Sequence, residues 1–123
     1  MTELPSSRAV FPRCGDIYHI TLDPVVGSEI GKRRPAVIVS NDVNNQYSRT
    51  VTVVPITSRP AKPTYPFEAT LPRGAGGLSR ESRAKCNQIR TLDKGRLLVF
   101  MGRLSAQHMM QVQRDIKVHL NLL

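Results

Sequence analysis

The sequence predicts a mainly β domain, a small, highly curved antiparallel barrel with one C-terminal helix. Three features carry that expectation. Short runs with strand patterning recur at close spacing, and glycine- and proline-rich segments separate them. Only past residue 104 does the apolar period lengthen to three and four.

The first run, 16–22 (DIYHITL), sets Ile17, His19 and Thr21 against Tyr18, Ile20 and Leu22, the alternation of a half-buried strand. Residues 35–40 (PAVIVS) form a continuous apolar run bounded by turn residues, which fits a central strand. Residues 51–56 (VTVVPI) form another, in which Pro55 argues for a strand end, an edge or a bulge. Residues 67–71 (FEATL) alternate again, and 84–90 and 96–100 are weaker candidates for a fifth and a sixth strand. Between them, 23–34 carries Pro24, Gly27 and Gly31, 57–66 carries Pro60, Pro63 and Pro66, and 72–77 reads PRGAGG; all three fit loops. Ser105 fits a helix N-cap, followed by Met109, Val112, Ile116, Leu120 and Leu123 on one face. Met109 and Met110 fit core filling or a subunit interface, filling being the simpler reading.

A chain of 123 residues supports one hydrophobic core. With 40% hydrophobic and 22% charged residues it has globular rather than disordered composition. Residues 1–13, interrupted by Pro5, Arg8, Pro12 and Arg13, lack an apolar stretch of signal-peptide length and are expected to be a flexible tail; 14–123 form the single domain. The longest apolar run, 97–101, falls far short of the roughly 20 residues of a membrane span. A cytoplasmic protein without membrane contact is the expectation.

Eighteen Lys and Arg against nine Asp and Glu give a net charge of +9, and the pI is about 10.4. Such an excess on so small a body points to a polyanionic partner. Residues 80–103 hold seven cations and two acids, and Lys32, Arg33 and Arg34 form a second cluster. Charge alone does not separate RNA from DNA, an acidic protein or a membrane surface, and a solvated face is the plain alternative. Cys14 and Cys86 lack CxxC spacing and a neighbouring histidine, so no metal site is expected, and both fit packed, reduced thiols.

His19 falls mid-strand, His108 and His119 fall in the helix, and no local spacing pairs them as acid and base. No DxD or HxE cluster supports a two-metal nuclease, and no GxxxxGK[ST] loop is present. What remains in the first half is an arginine, a hydroxyl and a glutamate. RNA carries its own nucleophile, the 2′-OH, so an enzyme that cuts it needs in-line positioning, stabilisation of the phosphorane and proton transfer. A guanidinium fork suits the phosphorane oxygens, and Glu29 is a candidate acceptor of the 2′ proton. Arg34, standing before a proline, also fits a simple strand cap.

Gly15-Asp16-Ile17-Tyr18, Asp23-Pro24-Val25-Val26-Gly27-Ser28-Glu29 and Lys32-Arg33-Arg34-Pro35-Ala36-Val37 together resemble the N-terminal signature of the MazF/PemK (Kid) family of toxin endoribonucleases. The resemblance continues in order through Val53-Val54-Pro55-Ile56-Thr57, Pro66-Phe67-Glu68 and Asn87-Gln88-Ile89-Arg90-Thr91-Leu92-Asp93. It implies an SH3-like barrel of the CcdB/PemK-like toxin fold, working as a homodimer and needing no cofactor. It also implies metal-independent cleavage of single-stranded RNA, messenger RNA above all, at a short motif, leaving a 2′,3′-cyclic phosphate and a 5′-hydroxyl. Arg34 and Thr57 match the catalytic arginine and threonine, and Glu29 a supporting glutamate. The loop 27–33 would cover the RNA groove; Ser28, Lys32, Arg33, Lys85, Asn87, Gln88 and Arg90 are the RNA-binding candidates. Asn87 stands where several relatives are acidic, and Ser28 where one branch has histidine. The implied protein partner is a cognate antitoxin with an acidic segment lying across the groove. The rival expectation is a non-catalytic toxin of the same fold that poisons DNA gyrase.

Overall fold

A computed structural model describes residues 11–58 and 65–123. Seven strands and two helices follow in the order β1 (Asp16–Thr21), β2 (Arg33–Ile38), α1 (Asp42–Tyr47), β3 (Thr50–Thr57), β4 (Glu68–Leu71), β5 (Ser82–Lys85), β6 (Arg90–Asp93), β7 (Leu97–Arg103) and α2 (Ala106–His119). All pairings are antiparallel, in the order β4-β5-β3-β2-β1-β7, and β6 lies beside β3. β3 is the spine of the sheet. Its first half pairs β6 from Thr50 to Val53, and its last two residues, Ile56 and Thr57, pair β5.

β2 from Pro35 to Ile38 and β3 from Val53 to Ile56 are apolar without interruption because both faces are covered there. Val37, Val54 and Ile56 enter one core with Met109 and Val112 of α2, whereas Ala36, Ile38, Val51 and Val53 enter a second with Ile20, Leu22 and Leu92. Pro55 is buried inside β3, not at a strand end. It occupies the gap between the β6 and β5 pairings, where a residue without an N–H interrupts no ladder on that side. The span 84–90 is not one strand: a 3-10 turn over Cys86–Gln88 separates β5 from β6.

Ser105 caps α2, its Oγ accepting the His108 N–H at 3.2 Å. Although the apolar spacing runs on to Leu123, the helix ends at His119. Asn121 takes a positive φ of 61°, and the N–H groups of Asn121 and Leu122 return to Val118 O and Lys117 O, a Schellman closure that turns the chain away. Leu120 and Leu123 are therefore exposed, and of the two methionines only Met109 enters the core. The helix α1 has no apolar period; Asn41 caps it, accepting the Asn44 N–H at 2.8 Å, and the buried Asn45 amide ties it to Ser40.

Of the expected tail, residues 1–10 lie outside the described residues. Pro12 is buried, and the Arg13 N–H donates to Asp16 Oδ2 at 2.8 Å, so these two residues belong to the folded unit. Among the described residues no helix is long and apolar enough to cross a membrane.

Candidate active site

The β2–β3 register sets Ala36 opposite Pro55 and Val37 opposite Val54. Carried two residues further, it sets Arg34 opposite Thr57 at the end of both strands. Residues far apart in sequence thus become neighbours by strand pairing alone. Both line a polar cleft of about 360 Å³, with Ser28, Glu29 and Gly31 on one wall and Lys85, Asn87 and Gln88 on the other.

The first wall belongs to the loop between β1 and β2, which is folded back and held at several points. Leu22 N–H donates to Lys32 O at 3.0 Å, and Lys32 N–H donates to Asp23 Oδ1 at 2.8 Å. Glu29 Oε1 accepts the Val26 N–H at 2.8 Å, closing a tight turn around Gly27. The Ile30 N–H donates to Gln88 Oε1 at 3.2 Å, fastening the loop to the far wall. Arg34 Nε donates to Gly31 O at 2.8 Å, which fixes the guanidinium plane against the loop. Gly31 has a steric reason: a Cβ there would lie 2.8 Å from Asp23 Oδ1 and 2.9 Å from Val25 Cγ1.

On the far wall, Lys85 and Arg83 flank the buried Glu68 carboxylate, Lys85 in direct contact with Oε2 and Arg83 at 3.4 Å from Oε1. Lys85 therefore enters the cleft with its charge largely compensated. Asn87 Oδ1 is buried with no hydrogen-bond partner among the described residues, an acceptor left open in the cleft wall.

A second cleft has a volume of about 470 Å³. Arg34 and Thr57 line it too, with His19, Arg33, Ser58 and Arg80. Of the residues expected to bind RNA, Ser28, Lys85, Asn87 and Gln88 thus gather in the first cleft and Arg33 in the second. Lys32 and Arg90 line neither. Lys32 is exposed at a positive φ of 66°, and Arg90 is in β6 opposite Val53. Ser58 and Arg80 were not singled out by sequence, and His19 was weighed only as one half of a histidine pair; Arg80 had a signal as the first cation of the basic run 80–103.

That basic run is not one surface. Arg83 and Lys85 serve Glu68, Arg103 pairs with Asp16 at 2.9 Å, and Arg96 donates to the carbonyls of Thr21 and Asp23. Cys86 is buried under α2 with its thiol directed at Val112 O; burial, with Asp115 and Glu68 nearby, pushes its pKa up to about 12, the opposite of an activated nucleophile. Cys14 is half-buried, its pKa also raised by burial and by Asp42 and Asp16.

Fold and site define a small basic β domain with a half-buried arginine and threonine that line two polar clefts. The chain matches the PemK-like, MazF-like toxins of type II toxin–antitoxin systems over residues 13–120, and it belongs to that family. It is 42% identical over 115 residues to Endoribonuclease MazF9 of Mycobacterium tuberculosis, covering 89% of this chain and 97% of the relative. It is similar to the crystal structure of MazF from Deinococcus radiodurans, with a TM-score of 0.78 and 29% identity over 90% of this chain and 97% of that one. A MazE–MazF crystal structure from the same organism matches with a TM-score of 0.71 and 25% identity over 92% and 98% of the two chains. The mainly β fold with a C-terminal helix is thereby borne out.

Proposed function

We propose that the endoribonuclease activity of this toxin resides in the Arg34–Thr57 pair and acts on single-stranded RNA through attack of the 2′-OH on the adjacent phosphate. The observation that carries the proposal is the β2–β3 register, which brings Arg34 and Thr57 together at the mouth of two clefts, with Glu29 in one of them. The Arg34 guanidinium, steadied through Nε, neutralises charge developing on the phosphorane oxygens, and Thr57 Oγ1 donates to the same oxygens. Glu29 accepts the 2′ proton. The guanidinium keeps its positive charge over the accessible pH range, which suits Arg34 to charge stabilisation rather than proton transfer. The products are a 2′,3′-cyclic phosphate and a 5′-hydroxyl. Asn87 and Gln88 line the same cleft, and their amides would contact splayed bases, the mode by which single strands are read.

The working form is a homodimer. Support comes from β7, the last strand in the sheet order, where Leu98, Val99 and Phe100 are 42%, 61% and 54% exposed. Three consecutive apolar residues on an edge strand call for cover by a second copy. The antitoxin partner is proposed from family membership and from the MazE–MazF assembly of the Deinococcus relative. An acidic antitoxin segment across the clefts would compete with RNA for the same cations, and the enzyme would meet its messenger RNA substrate in the cytoplasm.

The test is incubation of the purified toxin with a long single-stranded RNA in EDTA, followed by mapping of the new ends. Wild-type protein cuts at a small set of sites, and Thr57→Ala cuts the same sites about 100-fold more slowly, the lower end of the range for losing one donor to the transition state. Uncut RNA with inhibited gyrase would replace this reading with the non-catalytic one.

A further inference from the structure

In-line displacement at phosphorus puts the entering 2′-oxygen and the departing 5′-oxygen on opposite sides of the atom, so a base and an acid acting on them must approach from opposite directions. Two clefts share Arg34 and Thr57, and each holds a different side chain able to carry a proton: Glu29 lines the first and not the second, His19 the second and not the first. Resting on the endoribonuclease reading above, we propose that His19 is a further catalytic residue, the general acid that protonates the leaving 5′-oxygen from the second cleft.

The backbone supports the role. His19 is opposite Pro35 on β2 and Val99 on β7, in the middle of three paired strands and one cross-strand step from Arg34, which faces Ile20. A side chain rooted there is held more firmly than one on a loop. Ile17 and Ile20 take the core positions of β1, whereas His19 is half-buried at the cleft. The charged residues on that cleft are Arg33, Arg34 and Arg80, with no carboxylate among the described lining residues. Among the described lining residues the His19 imidazole can both take up and release a proton, which a guanidinium does not do. Arg33 and Arg80 are suited instead to the phosphate that follows the scissile one.

The step balances. The 2′-oxygen gives its proton to the Glu29 carboxylate and forms a bond to phosphorus, the bond from phosphorus to the 5′-oxygen breaks, and the His19 imidazolium gives its proton to that oxygen. Return of the proton from Glu29 to solvent, and from solvent to His19, resets the site.

The deciding experiment compares leaving groups. An oligonucleotide carrying a mapped cleavage site is made with the native 5′-oxygen and with a bridging 5′-sulfur, which departs as a thiolate without protonation. On the oxygen substrate His19→Gln is expected to slow single-turnover cleavage by about 100-fold, the lower range for loss of a general acid. On the sulfur substrate it is expected to cut within a few-fold of wild type. His19→Ala should behave alike and regain oxygen-substrate activity with added imidazole. Wild-type rates for His19→Gln on the oxygen substrate, or equal losses on both substrates, would overturn the assignment. Arg34→Ala, assayed in parallel, separates the two readings: it should be slow on both substrates, and full activity there would remove the Arg34–Thr57 site itself.

Discussion

Replacing Arg34 with alanine is expected to lower the single-turnover cleavage rate by about 1,000-fold, the scale of one oxyanion-stabilising donor lost from a pre-organised site. RNA that carries a 2′-O-methyl group at the scissile position, and so cannot react, should still bind within about tenfold, because the remaining cations supply most of the phosphate contacts. The division between rate and binding follows from geometry. Arg34 Nε is already committed to Gly31 O at 2.8 Å, so the guanidinium needs no ordering when charge develops beside it. Arg34→Lys keeps the charge but loses both the fork and that anchor; it should recover little of the rate. Rates from a rapid-quench assay and affinities from fluorescence anisotropy check both halves of the prediction. Equal loss in rate and affinity would mean that Arg34 only binds.

The second large effect is on stability. A Cβ on Gly77 would stand 2.3 Å from the backbone oxygen of Met101, and its φ is +83°. Backbone cannot yield as a side chain end can, so the turn over Ala75–Gly77 would be forced away from β7. Gly102 is its counterpart, a Cβ there meeting Gly76 O at 2.6 Å. Gly77→Ala is expected to cost about 3–5 kcal/mol, combining left-handed strain with overpacking. That is a large part of the roughly 5–15 kcal/mol that holds a domain folded. Gly74→Ala is the matched control, with φ +92° but nothing within 4 Å, and should cost only about 1–2 kcal/mol. Urea denaturation of the two variants reads the difference, and equal midpoints would show that the Gly77–Met101 approach does not constrain the fold.

Much of the fold was legible because local chemistry and tertiary demand agree. The residues from Pro35 to Ile38 are apolar because β2 is covered on both faces there, and Ser105 caps the C-terminal helix as its sequence position predicts. Where they diverge, sequence reading failed for identifiable reasons. The six residues of α1 are held by Asn41 and Asn45 side chains, which leave no periodic trace. The strands on either side of Cys86 are separated by a turn whose buried residue is a cysteine between polar neighbours, so the span read as one strand. The Schellman closure at Asn121 outweighs the apolar spacing that continues beyond it.

The site was legible to a lesser degree. Gly27, Glu29 and Arg34 are close in sequence and stay close in the folded loop. Thr57 was reached only through family resemblance, because its position opposite Arg34 is a matter of strand register. His19 and Arg80 come from strands and turns far apart in sequence, and no local pattern announces the cleft they share. The charge count pointed to a polyanion, yet four of the seven cations at 80–103 are occupied with the protein's own carboxylates and carbonyls. Charge identified the kind of partner, and strand pairing determined which cations face the clefts.

The most direct test of the account uses two oligonucleotides with the same mapped site, one all-ribose and one with a single 2′-deoxyribose immediately 5′ to the scissile phosphate, both in EDTA. The account predicts that only the first is cut, leaving a 2′,3′-cyclic phosphate and a 5′-hydroxyl by mass spectrometry. Cleavage of the deoxy-substituted strand at that phosphate, or 3′-hydroxyl and 5′-phosphate ends on the ribose strand, would contradict it.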